Sequence, residues 1–159
     1  RDSFKLLSDH SKGTKTAPFI DDIAIAPEKL PQYLPELTKI LDREKLLYTI
    51  AGHLGNGNLH IIPLMNFDDP KTREIIIRIS PEVYSIVKKY GGTMTAEHND
   101  GIIRTPFLSL MFGEKINGVF KEIKEIFDPK NIFNPGKKVG FTNEDIEKYI
   151  ISTKIQKTK

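Results

Sequence analysis

Two long stretches of this chain repeat apolar residues at helical spacing, with short β-type runs before, between and after them. Leu30, Tyr33, Leu34, Leu37, Ile40 and Leu41 mark the first, within PEKLPQYLPELTKILDREK. Ile75, Ile76, Ile79, Val83, Ile86 and Val87 mark the second, between Asp69 and Tyr90. The runs FIDDIAIA (Phe19 to Ala26), LLYTIAG (Leu46 to Gly52), NLHIIPL (Asn58 to Leu64) and TMTAEH (Thr93 to His98) read as strands. The order strand, helix, strand, strand, helix, strand predicts an α+β fold. It is that of a ferredoxin-like βαββαβ unit, with an antiparallel sheet, both helices on one face and the other face open to a partner. Additional C-terminal helices follow: Phe107 to Phe112, Gly113 to Phe127, and a last one from Asn143 to Ile151 capped by Thr142.

Prolines and glycines punctuate this plan. Pro31 and Pro35 predict that the first helix becomes regular late, and Pro81 that the second is kinked or split. Gly91-Gly92 stops it, and Asn56-Gly57 predicts a tight hairpin turn. Residues 1–17 read as a short helical turn around Phe4 to Leu7, then a loop. The chain begins at Arg1, so 1–17 is expected to continue a longer protein, with 18–140 as the main domain and 141–159 as a C-terminal helix and basic tail.

Composition narrows the chemistry. The absence of cysteine excludes disulfides, iron–sulfur ligation, thiolate zinc sites and a cysteine nucleophile. No apolar run approaches the ~18 residues of a membrane span, so the expectation is a cytoplasmic protein, with attachment to a membrane surface left open. Net charge is +3, from 24 basic and 21 acidic residues, and describes a mixed, solvated surface rather than a polyanion-binding one. Nucleic acid is set aside as a partner: RNA-binding sheets of this class stack bases on aromatic residues of the inner strands, and NLHIIPL has none. GHLGNGN precedes a strand rather than a helix, so it is neither a P-loop nor a dinucleotide fingerprint. No GxSxG elbow is present.

Three of the four histidines fall in two glycine-rich patches, AGHLGNGNLH and GGTMTAEHNDG. His53 and His60 flank the hairpin turn, and Glu97 and His98 end the fourth strand. Two imidazoles and a carboxylate suit zinc, manganese or ferrous iron. The competing reading is that each histidine is a loop residue without a ligand. Geometry also sets a condition. With the first strand between the third and fourth, Glu97 must reach across ~10 Å of sheet toward His60, at ~4.8 Å per strand. Period 2 would put Glu97 and His98 on opposite faces unless the chain bends at Glu97–Asn99, which Gly101 permits. A third patch, DPKNIFNPGK (Asp128 to Lys137), reads either as proline turns capping a helix or as a rigid loop carrying Asn134 and Lys137 to a ligand.

GHLGNGNLHIIPL, GGTMTAEHNDGIIR and FDPKNIFNPGK, in this order, resemble the C-terminal domain of FAD-linked oxidases from about Arg1 to Val139. The resemblance implies an FAD-binding domain in the same full-length chain, over whose flavin this domain closes. The stretch EHNDGIIRTPFL looks most like long members fused to an iron–sulfur domain. His53, His60 and Glu97 are implied as metal ligands, His98 as the active-site base, Arg1 as the partner of the substrate carboxylate, and Asn134 as a residue near the flavin. Asn56 stands for the usual Asp of the turn and Asn99 for a usual Gly. Ile62 replaces a polar contact of the hydroxyglutarate enzymes, and the nearest lysine before Asp22 is Lys15, so these departures concern the substrate. The implied activity is oxidation of a D-2-hydroxy acid of the lactate, glycolate or 2-hydroxyglutarate type, with FAD and a divalent metal. This chain alone is expected to fold but stay catalytically silent, and to self-associate through Ile25, Ile50 or Ile62 on the open face. The alternative is a metal-free docking domain whose histidines are structural.

Overall fold

A computed structural model describes residues 13–150. The strand NLHIIPLM is its spine. This strand, β4 (Asn58–Met65), pairs along one edge with β3 (Leu47–Ala51). Two short antiparallel pieces share its other edge: β1 (Lys15–Thr16) opposite Met65 and Leu64, and β2 (Ile23–Ala24) opposite Leu59 and Asn58. A single antiparallel bridge joins Ala24 to Thr93 beyond β2. The order at this end, β3–β4–β2–Thr93, is the ferredoxin-like order. The sheet is antiparallel in an α+β fold.

Alternation along β4 sends Leu59, Ile61 and Met65 into the core and His60, Ile62 and Leu64 to the opposite face. Helix α1 (Leu30–Arg43) buries Tyr33, Leu37 and Leu41 in that core, each one helical turn after the last. Helix α2 (Lys71–Lys89) adds Ile76, Ile79, Val83, Tyr84 and Val87. Two hydrogen bonds, from Gly91 N–H to the Lys88 carbonyl and from Gly92 N–H to that of Val87, close α2 in a Schellman turn. Gly91 takes the left-handed conformation this needs, at φ 69°. Gly92 lies where a Cβ would be 2.4 Å from the Ala24 carbonyl oxygen, so its small size lets the chain reach β2.

Several expectations are corrected. Within FIDDIAIA only Ile23–Ala24 is strand; Asp22 sits at φ 64°, which extended pairing does not allow. TMTAEH contributes the Thr93 bridge and then bends. Residues 15–16, expected as loop, pair with β4. The hairpin connection is no two-residue turn: Leu54–Asn56 forms a 3-10 turn, and of the pair Asn56-Gly57 only Gly57 takes positive φ. The first helix starts early, at Leu30 after a 3-10 turn at Pro27–Lys29, because proline's fixed φ suits a first turn. Both Pro35 and Pro81 lie inside helices that continue through them. Ile25 is buried, and Ile50 faces Ile61 across the strands, so both belong to the helix-covered face rather than the open one. The expected turn at Phe4 to Leu7 lies outside the described residues.

The C-terminal part runs through α3 (Gly101–Arg104), a 3-10 turn at Thr105–Phe107, and α4 (Leu108–Phe127). Gly113, at φ 80° and ψ 163°, breaks α4 where two helices were expected. Past the break Ile123, Ile126 and Phe127 stand exposed. Helix α5 (Asn143–Tyr149) carries the expected Thr142 cap, closed reciprocally by Asp145. It returns to bury Ile146 in the main core. Among the described residues no helix is long and apolar enough to cross a membrane.

Candidate metal centre

His60 projects from β4 opposite Ala51, on the face away from the helices. The connecting loop is held tightly against the sheet end. A Cβ on Gly57 would lie 1.7 Å from the Ile25 carbonyl oxygen, and one on Gly52 2.4 Å from that of Asn58. Both glycines have positive φ, so no other residue fits without displacing backbone. The loop carries His53 outward, its ring centroid 6.0 Å from that of His60.

Glu97 and His98 reach the same place through a bend built on Asp22. The Asp22 carboxylate is fully buried and accepts the N–H groups of Ala96 (3.0 Å), Glu97 (3.1 Å) and His98 (2.8 Å), and the side-chain amide of Asn58 (3.1 Å). Burial alone would raise its pKa; the bonds from His98, Ala96, Glu97 and Asn58 outweigh it and hold the group below the usual carboxylate value. Asn99 then turns the chain in the left-handed region at φ 64°. Three successive N–H groups around one anion replace the straight strand, so Glu97 and His98 line one pocket.

The side chains converge on one oxygen. From Glu97 Oε1, Nε2 of His60 lies at 3.0 Å, that of His98 at 3.4 Å and that of His53 at 3.8 Å. Two ligand atoms on one ion, each bonded at 2.0–2.2 Å, stand about 3.0–3.5 Å apart. The His60–Glu97 and His98–Glu97 separations are of that size, and the exposed His53 stands slightly beyond it at 3.8 Å. Among the described residues, Asp22, His60, Glu97 and His98 form a group whose ligand atoms all lie within 4.8 Å of one another. The donor set of imidazole and carboxylate suits zinc, manganese or ferrous iron.

Behind the imidazoles stands Asp21, almost fully buried. Its Oδ1 is 3.0 Å from His60 Nδ1 and its Oδ2 3.5 Å from His98 Nδ1. A carboxylate at Nδ1 holds the proton there and leaves Nε2 free as ligand or base. The two rings stack with centroids 5.1 Å apart. Buried Arg104 joins the two segments behind them: its guanidinium donates to the Asn99 carbonyl (2.7 Å) and to that of Asp21.

Of the residues singled out from sequence, His53, His60, Glu97 and His98 are brought together. Asn134 sits in the C-terminal loop at φ 48°, its side chain accepting from Lys137 (3.1 Å). Arg1 lies outside the described residues. Asp21, Asp22, Asn58 and Arg104 were missed. A signal existed: two adjacent carboxylates inside the otherwise apolar run FIDDIAIA need partners if that run is buried.

Comparison with known proteins identifies the family. Residues 1–138 match the family of FAD linked oxidases, C-terminal domain. Among similar proteins, D-2-hydroxyglutarate dehydrogenase of Pantoea ananatis is 36% identical over 83% of this chain and 13% of its own length. The mitochondrial D-lactate dehydrogenase [cytochrome] of Kluyveromyces lactis is 31% identical over 83% of this chain and 23% of its own. Glycolate oxidase subunit GlcD of Bacillus subtilis is 26% identical over 77% and 26%. The chain thus spans only 13% to 26% of the length of these three relatives. With the match running through both histidine patches, this chain belongs to the FAD-linked oxidase C-terminal domain family.

Proposed function

We propose that this chain is the substrate and metal domain of an FAD-dependent enzyme oxidising a D-2-hydroxy acid. The observation that carries the reading is the convergence of three imidazole Nε2 atoms on Glu97 Oε1. His53, His60 and Glu97 would hold the metal, on a unit of residues 18–140 to which β1 adds a sheet piece and α5 a core contact. When bound, the metal supplies charge that lowers the pKa of the substrate hydroxyl, and FAD supplies the acceptor for the hydride. FAD would be held mainly by an FAD-binding domain of the longer protein, with Asn134 approaching it.

The chain's own residues bind, orient and move a proton. His98 would take the hydroxyl proton on Nε2, with the Asp21 carboxylate 3.5 Å from its Nδ1. Asp21 also stabilises the imidazolium that forms, as a carboxylate behind a catalytic histidine does. Arg1 would pair with the substrate carboxylate through its planar fork. By itself the chain is expected to be silent, since no hydride acceptor would lie within the ~3–3.5 Å that reaction requires. Metal content of the purified chain, with melting curves with and without chelator, tests the site. Stoichiometric metal and a chelator-sensitive melting point are expected. His98→Ala in the full-length protein should cut turnover far more than substrate affinity, and near-normal turnover would remove the assigned role.

A further inference from the structure

Asp22 belongs by distance to the compact group around Glu97, and an acidic residue there would ordinarily be counted as a ligand. Its bonds say otherwise. A carboxylate offers about four lone-pair sites. Four donors already occupy them: the N–H groups of Ala96, Glu97 and His98, and the Asn58 amide. The residue is fully buried and is itself in the left-handed conformation, so its backbone is set to present the carboxylate to that arc. Its main-chain carbonyl accepts from Ala96 as well (3.0 Å). Metal coordination at Asp22 would release at least one of these N–H groups into a buried setting without a partner, which is costly.

We propose that Asp22 is a positioning residue and not a metal ligand: it folds Ala96–Glu97–His98 around its carboxylate so that Glu97 and His98 face one pocket. This rests on the metal reading given above. Without that anion the three N–H groups have no common acceptor, and the period of an extended strand would turn His98 away from Glu97. The ligand geometry of this site is thereby set by a residue that never touches the ion.

The test uses the 159-residue chain with Zn2+ as probe. In the wild-type protein labelled with 13C and 15N, through-hydrogen-bond couplings should join the amides of Ala96, Glu97 and His98 to the Asp22 carboxylate carbon, with and without zinc. On adding zinc the Glu97 carboxylate carbon should shift strongly and that of Asp22 little. If the couplings vanish and the Asp22 carbon moves as Glu97's does, Asp22 is a ligand and the proposal is overturned. In the second arm, Asp22→Asn places an amide donor against backbone donors. It should bind Co2+ roughly 10–100-fold more weakly, the usual cost of losing support behind a ligand, with altered visible bands. A folded variant with unchanged Co2+ affinity and spectrum would overturn the role. Should the variant not fold, the wild-type couplings and shifts decide alone. Couplings present in a wild-type chain that takes up no zinc would remove the metal reading, and this role with it, while leaving the fold of the bend intact.

Discussion

Two aspartates in this protein do the same local job with opposite structural consequences. Asp22 gathers the N–H groups of Ala96, Glu97 and His98; Asp128 gathers those of Ile132 (2.9 Å) and Phe133 (2.8 Å). Asp22 reaches donors 74 to 76 residues away, whereas those of Asp128 are 4 and 5 residues away. The first bond set therefore ties distant segments into one pocket. The second shapes only its own loop, around which Phe127, Ile132 and Phe133 are each about two-thirds exposed or more. A carboxylate that collects amides fixes a site only when the chain around it is already committed to a sheet and core.

The sharpest way to break this contrast is at the glycines. Gly57→Ala would place a Cβ 1.7 Å from the Ile25 carbonyl, at φ 71°. It should cost about 3 kcal/mol or more in denaturant unfolding, the size of effect reserved for strained backbone and steric clash. A loss under about 1 kcal/mol would show that the pocket side yields easily. Next comes Glu97→Gln, which removes the charge from the oxygen where three imidazoles meet. Metal affinity, read by chelator competition, should fall by at least the roughly 10–100-fold that second-layer partners cost. Unchanged affinity would place the ion elsewhere.

A smaller effect is expected from acid. Glu44 accepts from Arg78 and Arg43, linking the end of α1 to α2. The Arg78 bond foremost, against some desolvation, and then Arg43 hold its pKa at about 2 rather than 4.5. A lowered folded-state pKa stabilises above the unfolded value, so this contribution is complete above pH 4.5 and is lost as pH falls toward 2. Arg78→Met should flatten that part of the stability–pH curve, and an unaltered curve would show the pair contributes nothing. The smallest effects belong to the exposed part of α4 past Gly113. Phe127→Ser, at a side chain 80% exposed, should change stability by no more than about 0.5 kcal/mol. Gly118→Ala, with open space around the added carbon, should stabilise by up to about 1 kcal/mol. A large loss at Phe127 would mean that this end of α4 is packed as firmly as the pocket.

Much of this was legible in the residues. The helical repeats of α1 and α2 follow from apolar spacing, because a helix can bury only the stripe it presents at every third or fourth position. His53, His60, Glu97 and His98 were marked as candidates by their place in two glycine-rich patches, while strand period left Glu97 and His98 on opposite faces unless the chain bent. Strand extents were less readable. FIDDIAIA has the composition of a strand, yet its two aspartates are satisfied by tertiary partners and force Asp22 to positive φ, which no local pattern announces.

Sequence alone marked which residues could ligate a metal and which helix stripes would be buried, since side-chain chemistry and periodicity are local properties. Only the tertiary structure decided that Glu97 and His98 share a pocket. That outcome depends on the Asp22 carboxylate meeting amides more than seventy residues away, and such a bond exists only once α1, the hairpin and α2 have brought both segments to the same edge of the sheet.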